Sequence, residues 1–330
     1  MSRDDLNALL SVVVRREIAG ASGIVNLRRL SGGASQETWA FEAAGVSGDP
    51  RLVLRRAPAD RQLEGAVGME GEAELIRMAG EAGVPVPPVR YVMKPQDGVG
   101  RGFILGFVEG ETLGRKIVRD AAFAEARKTL AFTCGEVLAR IHAIPTDNLP
   151  PLQVSATRHR LEEIYRRYKA DGRPRPVISI AIEWLRANLP PEPERPSLVH
   201  GDFRNGNLMV GPDGLRAVLD WEVAYLGDPI KDLGWLCVGA WRFGGIDNPV
   251  GGFGAYEQLS AGYEAGGGGK VSLEHIRFWE VLGSTSWCIA CSTMAHSFRD
   301  GVDPTADRAV ISRRASENEI DLMNLLAPRR

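Results

Sequence analysis

Three oxygen-bearing side chains are spaced in this sequence as phosphoryl transfer requires. Asp202 is followed five residues later by Asn207, and Asp220 comes after a short predicted hairpin. A carboxylate can orient an acceptor hydroxyl and take its proton, while an amide oxygen and a second carboxylate are hard ligands suited to magnesium. Each residue alone would be typical of a turn. Together, at this spacing, they predict a phosphoryl-transfer site.

The segments around these residues resemble a known family. The segment HGDFRNGN at 200–207 resembles the H-x-D-x-x-x-x-N catalytic loop of the protein-kinase-like superfamily, in the form found in aminoglycoside phosphotransferases and choline kinases. The triplet DWE at 220–222 takes the place of D-F-G. The run GDPIKDL at 227–233 is similar to the family's G-D-P-x-x-D-L, whose second acid, here Asp232, usually braces the catalytic loop.

This resemblance implies roles for individual residues. Asp202, His200 and Arg204 form the expected catalytic group, in which Asp202 orients the acceptor and His200 braces the loop. Arg204 is expected either to face a phosphate or a substrate acid or to lie on the surface. Asn207 and Asp220 would hold Mg²⁺, and the phosphoryl donor would be ATP or GTP. The expected partners are therefore a nucleotide and a small-molecule hydroxyl compound.

A turn rich in small residues lies ahead of this motif, between two predicted strands. Its expected phosphate-binding members are Ser31, Gly32, Gly33 and Ser35. Glycine allows the backbone to approach a phosphate closely, with amide N–H groups as donors, and Ser35 adds a hydroxyl. A plain hairpin turn is the alternative interpretation.

Arg55 stands where kinases carry a strand lysine that pairs with the α- and β-phosphates. Arginine keeps the positive charge but is longer and forked, and a surface arginine at the strand end is the alternative. Glu72, on the next predicted helix, is the expected partner of Arg55, although Glu70 and Glu74 leave the register open. Arg56 points to the opposite face of the strand and is expected to be solvated.

The strand predicted at 103–108 should lead to the connection between the two parts of the chain, where that family receives adenine. Backbone groups at Leu105–Phe107 are expected to hydrogen-bond the base, which makes Leu105 and Phe107 nucleotide-binding residues. A core position is the alternative for Phe107. Gly106 stands where relatives often have an acidic residue, but backbone contacts would survive that change.

The elements that must position these residues divide the chain in two. The elements predicted in the first part are strands at 24–30, 37–43, 52–55, 89–93 and 102–108 and helices at 3–17 and 69–82. The elements predicted in the second part are helices at 121–144, 157–169, 177–188, 273–297 and 305–326 and a hairpin at 207–220. Strands followed by helices indicate an α+β protein rather than alternating βαβ units. We therefore predict a bilobal protein-kinase-like fold, with a small antiparallel-sheet N-lobe at 1–108 and a larger helical C-lobe at 109–330.

Bulk properties limit the partners. The chain has 330 residues, 44% of them hydrophobic, and its formal net charge of −2 gives no electrostatic reason to expect nucleic acid or an anionic membrane. No apolar run approaches the length of a spanning helix and the start has no signal-peptide layout, so a cytoplasmic location is expected. The expected oligomeric state is a monomer or a homodimer. Cys288 and Cys291 form a C-x-x-C without a second metal-binding pair, which favours buried packing on a helix.

Three classes of function remain open. A small-molecule kinase is favoured. A nucleotide-binding pseudokinase or regulatory module is the alternative, and the arginine at position 55, where kinases carry lysine, favours it. The short distance between Asp220 and Asp228 leaves no room for a long activation segment, which argues against a protein kinase. The helical part has little acid excess for a polycationic aminoglycoside. The segments LRR at 54–56, HGDFRNGN at 200–207 and LDWEVAYLGDP at 219–229 resemble a bacterial phosphotransferase branch related to the kinase-like domain of some acyl-CoA dehydrogenases. This resemblance makes a hydroxyacyl-CoA or another metabolite an open acceptor.

Overall fold

The computed structural model describes residues 1–30, 36–57 and 66–327. The strands are β1 (Gly23–Arg29), β2 (Glu37–Ala44), β3 (Arg51–Arg56), β4 (Val89–Val92), β5 (Gly102–Gly106), β6 (Ser197–Val199), β7 (Leu208–Gly211), β8 (Gly214–Val218) and β9 (Tyr225–Gly227). The helices are α1 (Arg3–Glu17), α2 (Met69–Glu81), α3 (Gly114–Arg119), α4 (Ala124–His142), α5 (Thr157–Asp171), α6 (Pro176–Ala187), α7 (Ile230–Cys237), α8 (Tyr256–Ala265), α9 (Leu273–Arg299), α10 (Ala306–Ser312) and α11 (Ala315–Leu326). The predicted phosphate loop with Ser31, Gly32, Gly33 and Ser35 lies outside the described residues.

A five-stranded antiparallel sheet forms the N-terminal region, in the order β1-β2-β3-β5-β4. Successive residues of β3 point to opposite faces of the sheet, so Leu54 and Arg55 lie on different sides. Leu54 packs with α1 in an apolar cluster that also contains Leu10 and Phe41. Phe103, which pairs with Arg55 in the ladder, joins α2 in the main core. Arg55 is therefore on the side of the sheet that faces α2 and the rest of the chain.

The neighbour of Arg55 on the same strand is not solvated. The register of β2 on β3 pairs Glu37 with Arg56, and Arg56 Nη2 lies 2.5 Å from Glu37 Oε2. The prediction that Arg56 is solvated is wrong, because the antiparallel register puts a carboxylate directly opposite it and such cross-strand pairs interact.

Helices and two small sheets, β6–β9 and β7–β8, make up the remainder. Helix α7 approaches α9 so closely at Gly234 that a Cβ there would lie 2.4 Å from the Cβ of Trp279. This contact fixes α7 against the main core, which also contains α4, α6 and α8. Because Asp232 and Trp235 lie on α7, their positions are fixed with it.

The predicted α+β architecture is confirmed. Strand β5 ends at Gly106 and helix α3 begins at Gly114, on either side of the predicted boundary at residue 108. The division into two lobes stays a prediction. The helix predicted at 305–326 is two helices, α10 and α11, and the short pairing of β9 with β6 was not predicted. Cys288 and Cys291 are buried free thiols. None of the helices in the described ranges combines the length and apolar character needed to cross a bilayer.

Candidate active site

The loop that follows β6 is held by Asp232. The backbone N–H groups of His200 and Gly201 donate to the Asp232 carboxylate at 2.7 and 3.0 Å. Gly201 has a φ of +86°, and a Cβ there would lie 2.4 Å from the carbonyl oxygen of Val223. Glycine is therefore the residue that fits this left-handed turn. Asp232 makes the bracing contacts that the resemblance implies.

Asp232 is buried but remains ionised. Burial opposes its charge, yet a hydrogen bond from His142 and the nearby Lys231 ammonium outweigh burial and lower the pKa of Asp232 to about 2. The Nε2 atom of His142 lies 3.3 Å from Asp232 Oδ2. A charged acceptor strengthens hydrogen bonds from backbone N–H groups. The loop after β6 is thus held by a carboxylate that stays charged at neutral pH.

His200 links this loop to the residue before Asp220. Its Nε2 lies 3.1 Å from the carbonyl oxygen of Leu219, and its Nδ1 accepts from the Asp202 N–H at 3.2 Å. These contacts assign the tautomer with the proton on Nε2. Burial lowers the pKa of His200, so the ring is neutral at neutral pH. With both nitrogens engaged, His200 has the geometry of a brace.

Three donors orient the Asp202 carboxylate. Arg204 Nε and Trp235 Nε1 donate to Oδ1 at 3.0 and 2.8 Å. Asn207 Nδ2 donates to Oδ2 at 2.7 Å. The guanidinium of Arg204 also lies over the ring of Trp241, 4.6 Å from its centroid. Since 21% of the Asp202 side chain is exposed, the oriented carboxylate is still open to an acceptor.

The β7–β8 hairpin brings Asn207 and Asp220 together. The Leu219 N–H donates to the Asn207 carbonyl oxygen at 2.9 Å, directly before Asp220. Asp220 has a φ of +69°, a left-handed conformation that Asp and Asn tolerate better than most residues. Because Asn207 Nδ2 donates to Asp202, the amide oxygen of Asn207 is the group left to bind a cation.

The Arg55 guanidinium contacts three different residues, one of which is Asp220. Its Nε donates to Gln36 Oε1 at 2.9 Å and its Nη2 to Asp220 Oδ1 at 2.7 Å. Its Nη1 lies 3.1 Å from Glu72 Oε1. A planar fork reaches three partners at once, whereas a lysine presents one compact ammonium. This geometry accounts for arginine at a position where kinases carry lysine.

Among the three candidate acids of α2, the structure brings Glu72 to Arg55. Glu72 is fully buried, whereas Glu70 and Glu74 form exposed ion pairs with other arginines. Gln36 supports the pair by donating from Nε2 to Glu72 Oε2 at 2.8 Å and to Glu222 Oε2 at 2.9 Å.

Three carboxylates lie near Arg55. In the described part of the chain, the carboxylates of Glu72, Asp220 and Glu222 surround one guanidinium. Burial opposes the charge of Arg55, but Glu72 and Asp220 outweigh burial and raise the pKa of the guanidinium. Burial also raises the pKa of Glu72, which Arg55 offsets only in part. A cation bound beside Asp220 would reduce the repulsion among these carboxylates.

The end of β5 is already engaged in backbone hydrogen bonds. The N–H groups of Gly106 and Phe107 donate to the carbonyl oxygens of Pro88 and Arg51 at 2.8 and 3.1 Å. The Arg51 guanidinium covers the Phe107 ring, 4.8 Å from its centroid. A Cβ at Gly106 would lie 2.8 Å from Pro88 Cγ, which explains the glycine. The assignment of Leu105 and Phe107 to adenine stays a prediction.

Two residues of this site were missed by sequence analysis. Gln36 directly precedes β2 and carries no signal in a single sequence. Trp235 follows Asp232 by three residues on α7, so helical spacing puts both residues on one side of the helix. This spacing could have identified Trp235 as a residue of the site.

These features define the class of fold. A five-stranded antiparallel sheet carries a buried Arg–Glu pair. The loop after β6 and the β7–β8 hairpin present two aspartates and an asparagine. This is a protein-kinase-like fold. Residues 26–268 match the model of the phosphotransferase enzyme family. The chain belongs to that family.

A curated sequence relative matches part of this chain, and solved structures share its fold. The chain is 30% identical to acyl-CoA dehydrogenase family member 10 of Mus musculus over 66% of its own length but only 21% of that protein. A Ralstonia eutropha protein assigned as an aminoglycoside phosphotransferase has a TM-score of 0.72 at 22% identity, covering 98% of this chain and 99% of the other. A mutant of aminoglycoside phosphotransferase APH(4)-Ia, in complex with ADP and hygromycin B, has a TM-score of 0.62 at 16% identity over 98% and 100%. At such identities the two structures show the fold alone.

Proposed function

We propose that this chain transfers the γ-phosphoryl group of ATP or GTP to a hydroxyl of a small molecule in a magnesium-dependent reaction. The observation that supports it is a single hydrogen-bonded unit in which His200, Leu219 and Asn207 join Asp202 to Asp220. Phosphoryl transfer depends on positioning and electrostatic stabilisation rather than on covalent chemistry by the protein. This unit supplies both.

Asp202 acts as the orienting base. An acceptor hydroxyl hydrogen-bonded to Asp202 attacks the γ-phosphorus, the bond from phosphorus to the nucleoside diphosphate breaks, and the hydroxyl proton passes late to the carboxylate. Arg204 and Trp235 keep the carboxylate aimed during this step.

Asn207 and Asp220 fit magnesium. Their amide and carboxylate oxygens are hard donors, and Mg²⁺ is commonly held by one or two protein groups together with substrate phosphates and water. When bound there, Mg²⁺ would offset the charge of the phosphates. The Asp220 side chain is 30% exposed, which leaves its carboxylate open to a cation.

We expect Arg55→Lys to raise the KM for Mg·ATP by about tenfold, because lysine keeps the charge but loses at least one of the three contacts of the guanidinium. Initial-rate kinetics with varied ATP measure this. Arg56→Lys is the matched control, since that arginine pairs with Glu37 on the opposite face. Equal effects of the two substitutions would count against a nucleotide-binding role for Arg55.

A nucleotide-binding protein without transfer is the second candidate. Each guanidinium nitrogen of Arg55 already faces a protein group, and one of those groups is Asp220. These contacts use at most three of the five N–H donors of the guanidinium, so phosphates would share Arg55 with the protein groups. If Asp220 stays engaged with Arg55 instead of with magnesium, the chain would bind nucleotide and leave it intact.

Nucleotide binding followed by an acceptor screen separates the two candidates. We expect ATP with Mg²⁺ to raise the Tm, since a ligand at 100 times its Kd stabilises by about 2.7 kcal/mol, and ATP with a chelator to raise it much less. Aminoglycosides, choline-like alcohols and hydroxyacyl-CoAs are then tested for phosphorylated product. Product formation supports the kinase, and stabilisation without product favours the second candidate. Absence of magnesium-dependent stabilisation would contradict the magnesium-dependent kinase.

The identity of the compound that accepts the phosphoryl group is a further part of the proposal. The name of the Mus musculus relative makes a hydroxyacyl-CoA one candidate, but the chain spans only 21% of that protein. We also propose a cytoplasmic location and a monomer or a homodimer, with the lobe boundary near residue 108.

A further inference from the structure

A small cavity adjoins the loop that carries Asp202. Its volume is about 160 Å³, and its walls come from α5, α7, α9 and the segments after β6 and β8. Gly201, directly before Asp202, is part of the wall. Trp235 is another part, and its Nε1 donates to Asp202 Oδ1 at 2.8 Å. The cavity is therefore bounded by a chain neighbour and by a hydrogen-bond partner of Asp202, the residue proposed to orient the acceptor.

The wall of this cavity is mainly positive. Arg160, Arg167 and Lys231 line it, against the carboxylate of Glu163 among the described residues. Lys231 is partly compensated, because its Nζ donates to the Gly201 carbonyl oxygen and lies 3.7 Å from a carboxylate oxygen of Asp232 on the same helix. Arg160 and Arg167 form no ion pair with any residue of the described ranges. Their charges remain available to a ligand.

Arg160 has an unsatisfied donor. Its Nε is buried and finds no hydrogen-bond partner within the described chain. Its guanidinium carbon lies 3.8 Å from the centroid of the Tyr225 ring, so the group is stacked and its plane is set. A buried donor without a partner is costly, and a planar guanidinium matches the two oxygens of a carboxylate or phosphate.

We propose that this cavity binds an anionic group, a carboxylate or a phosphate, of the acceptor and so selects negatively charged hydroxyl compounds. Arg160 contacts the anionic group, and Arg167 and Lys231 add positive charge. This inference rests on the proposed function, since it assigns the cavity to the substrate that Asp202 orients. The cavity is small beside the about 300–1,000 Å³ of sites for drug-sized ligands. It therefore suits one anionic group, and its charge disfavours a polycationic acceptor.

Matched pairs of hydroxyl compounds test the charge preference. We expect 3-hydroxybutyrate to bind in the presence of Mg·ADP at least about tenfold more tightly than 1,3-butanediol, or glycerol 3-phosphate more tightly than glycerol, with choline weakest. Isothermal titration measures binding without any need for turnover. The first pair reports a carboxylate site and the second a phosphate site. Equal binding within both pairs would overturn the inference.

Arg160→Gln locates the site. We expect this substitution to weaken binding of the preferred anion by about tenfold or more while the Kd for Mg·ADP is unchanged. Arg158→Gln, at an exposed position of the same helix, is the matched control and should bind the anion like the wild type. The Tm of each variant verifies that it is folded. Anion binding that is insensitive to Arg160→Gln would overturn the inference.

The same experiments separate failure of the inference from failure of the proposed function. If the anions bind through Arg160 but no anionic, neutral or cationic alcohol is phosphorylated, the transfer function fails and the anion site stands. If anionic alcohols are phosphorylated no better than their neutral partners, and as well by Arg160→Gln as by the wild type, the function stands and the anion site is wrong.

Discussion

Replacement of Asp202 by asparagine should lower kcat by about 10²–10⁴, while binding of Mg·ATP is retained. Asparagine has nearly the shape of aspartate but neither its charge nor its basicity, so the acceptor hydroxyl loses the group that aims it and takes its proton. The new NH₂ group would also face Trp235 Nε1 or Asn207 Nδ2, which donate to the two carboxylate oxygens. Two donors that face each other leave one without an acceptor, which lowers the free energy of unfolding by about 1–3 kcal/mol, so a modest decrease in Tm is expected.

Kinetics with the best acceptor from the screen and thermal shifts with Mg·ATP measure both effects. Asp213→Asn is the matched control, because it makes the same chemical change in the turn of the β7–β8 hairpin, where Asp213 pairs with Arg216. It should retain wild-type kcat. Wild-type kcat in Asp202→Asn would remove Asp202 from the mechanism. Loss of Mg·ATP binding would mean that the substitution acts through the structure instead.

Local spacing was enough to predict which candidate residues one loop and one hairpin bring together. His200, Asp202 and Asn207 lie in a single segment, and the turn at 211–214 returns the chain so that Asp220 follows Leu219 beside Asn207. Such short-range geometry depends on turn residues and strand pairing, which a sequence displays directly.

Contacts between distant segments could not be predicted from local spacing. The hydrogen bond from Arg55 to Asp220 joins residues 165 positions apart, and that from Gln36 to Glu222 joins residues 186 apart. These contacts depend on how the sheet packs against the hairpin, and no local period encodes that packing. The error at Arg56 has the same origin, since its carboxylate partner depends on the register of β2 on β3.

Helix α2 is an intermediate case. Its buried Met69, Ala73 and Ile76 follow the i, i+4, i+7 period of an inward face. Glu72, three residues after Met69, lies on that face, whereas Glu70 and Glu74 do not. The helical period could therefore have resolved the register that the motif left open.

The backbone conformation of Asp220 determines which substitution can test its proposed metal role. At a φ of +69°, alanine would add strain of about 1–2 kcal/mol, and a loss of activity would then have two explanations. Asparagine is tolerated in this conformation and keeps an oxygen that can accept from Arg55 Nη2. Asp220→Asn thus removes one negative charge and leaves the backbone in place.

We expect Asp220→Asn to lower kcat at fixed Mg²⁺ by about 10²-fold or more, and to raise the Mg²⁺ concentration for half-maximal activity by at least about tenfold. Loss of a metal ligand should weaken nucleotide binding only when Mg²⁺ is present. Binding of ADP in a chelator should be unchanged or tighter, because a carboxylate that repels the phosphates is gone. Magnesium titrations of activity and isothermal titration of ADP with and without Mg²⁺ measure these opposite effects. A normal Mg²⁺ titration would place the metal on other ligands, whereas equal weakening with and without Mg²⁺ would mean that Asp220 acts by holding Arg55.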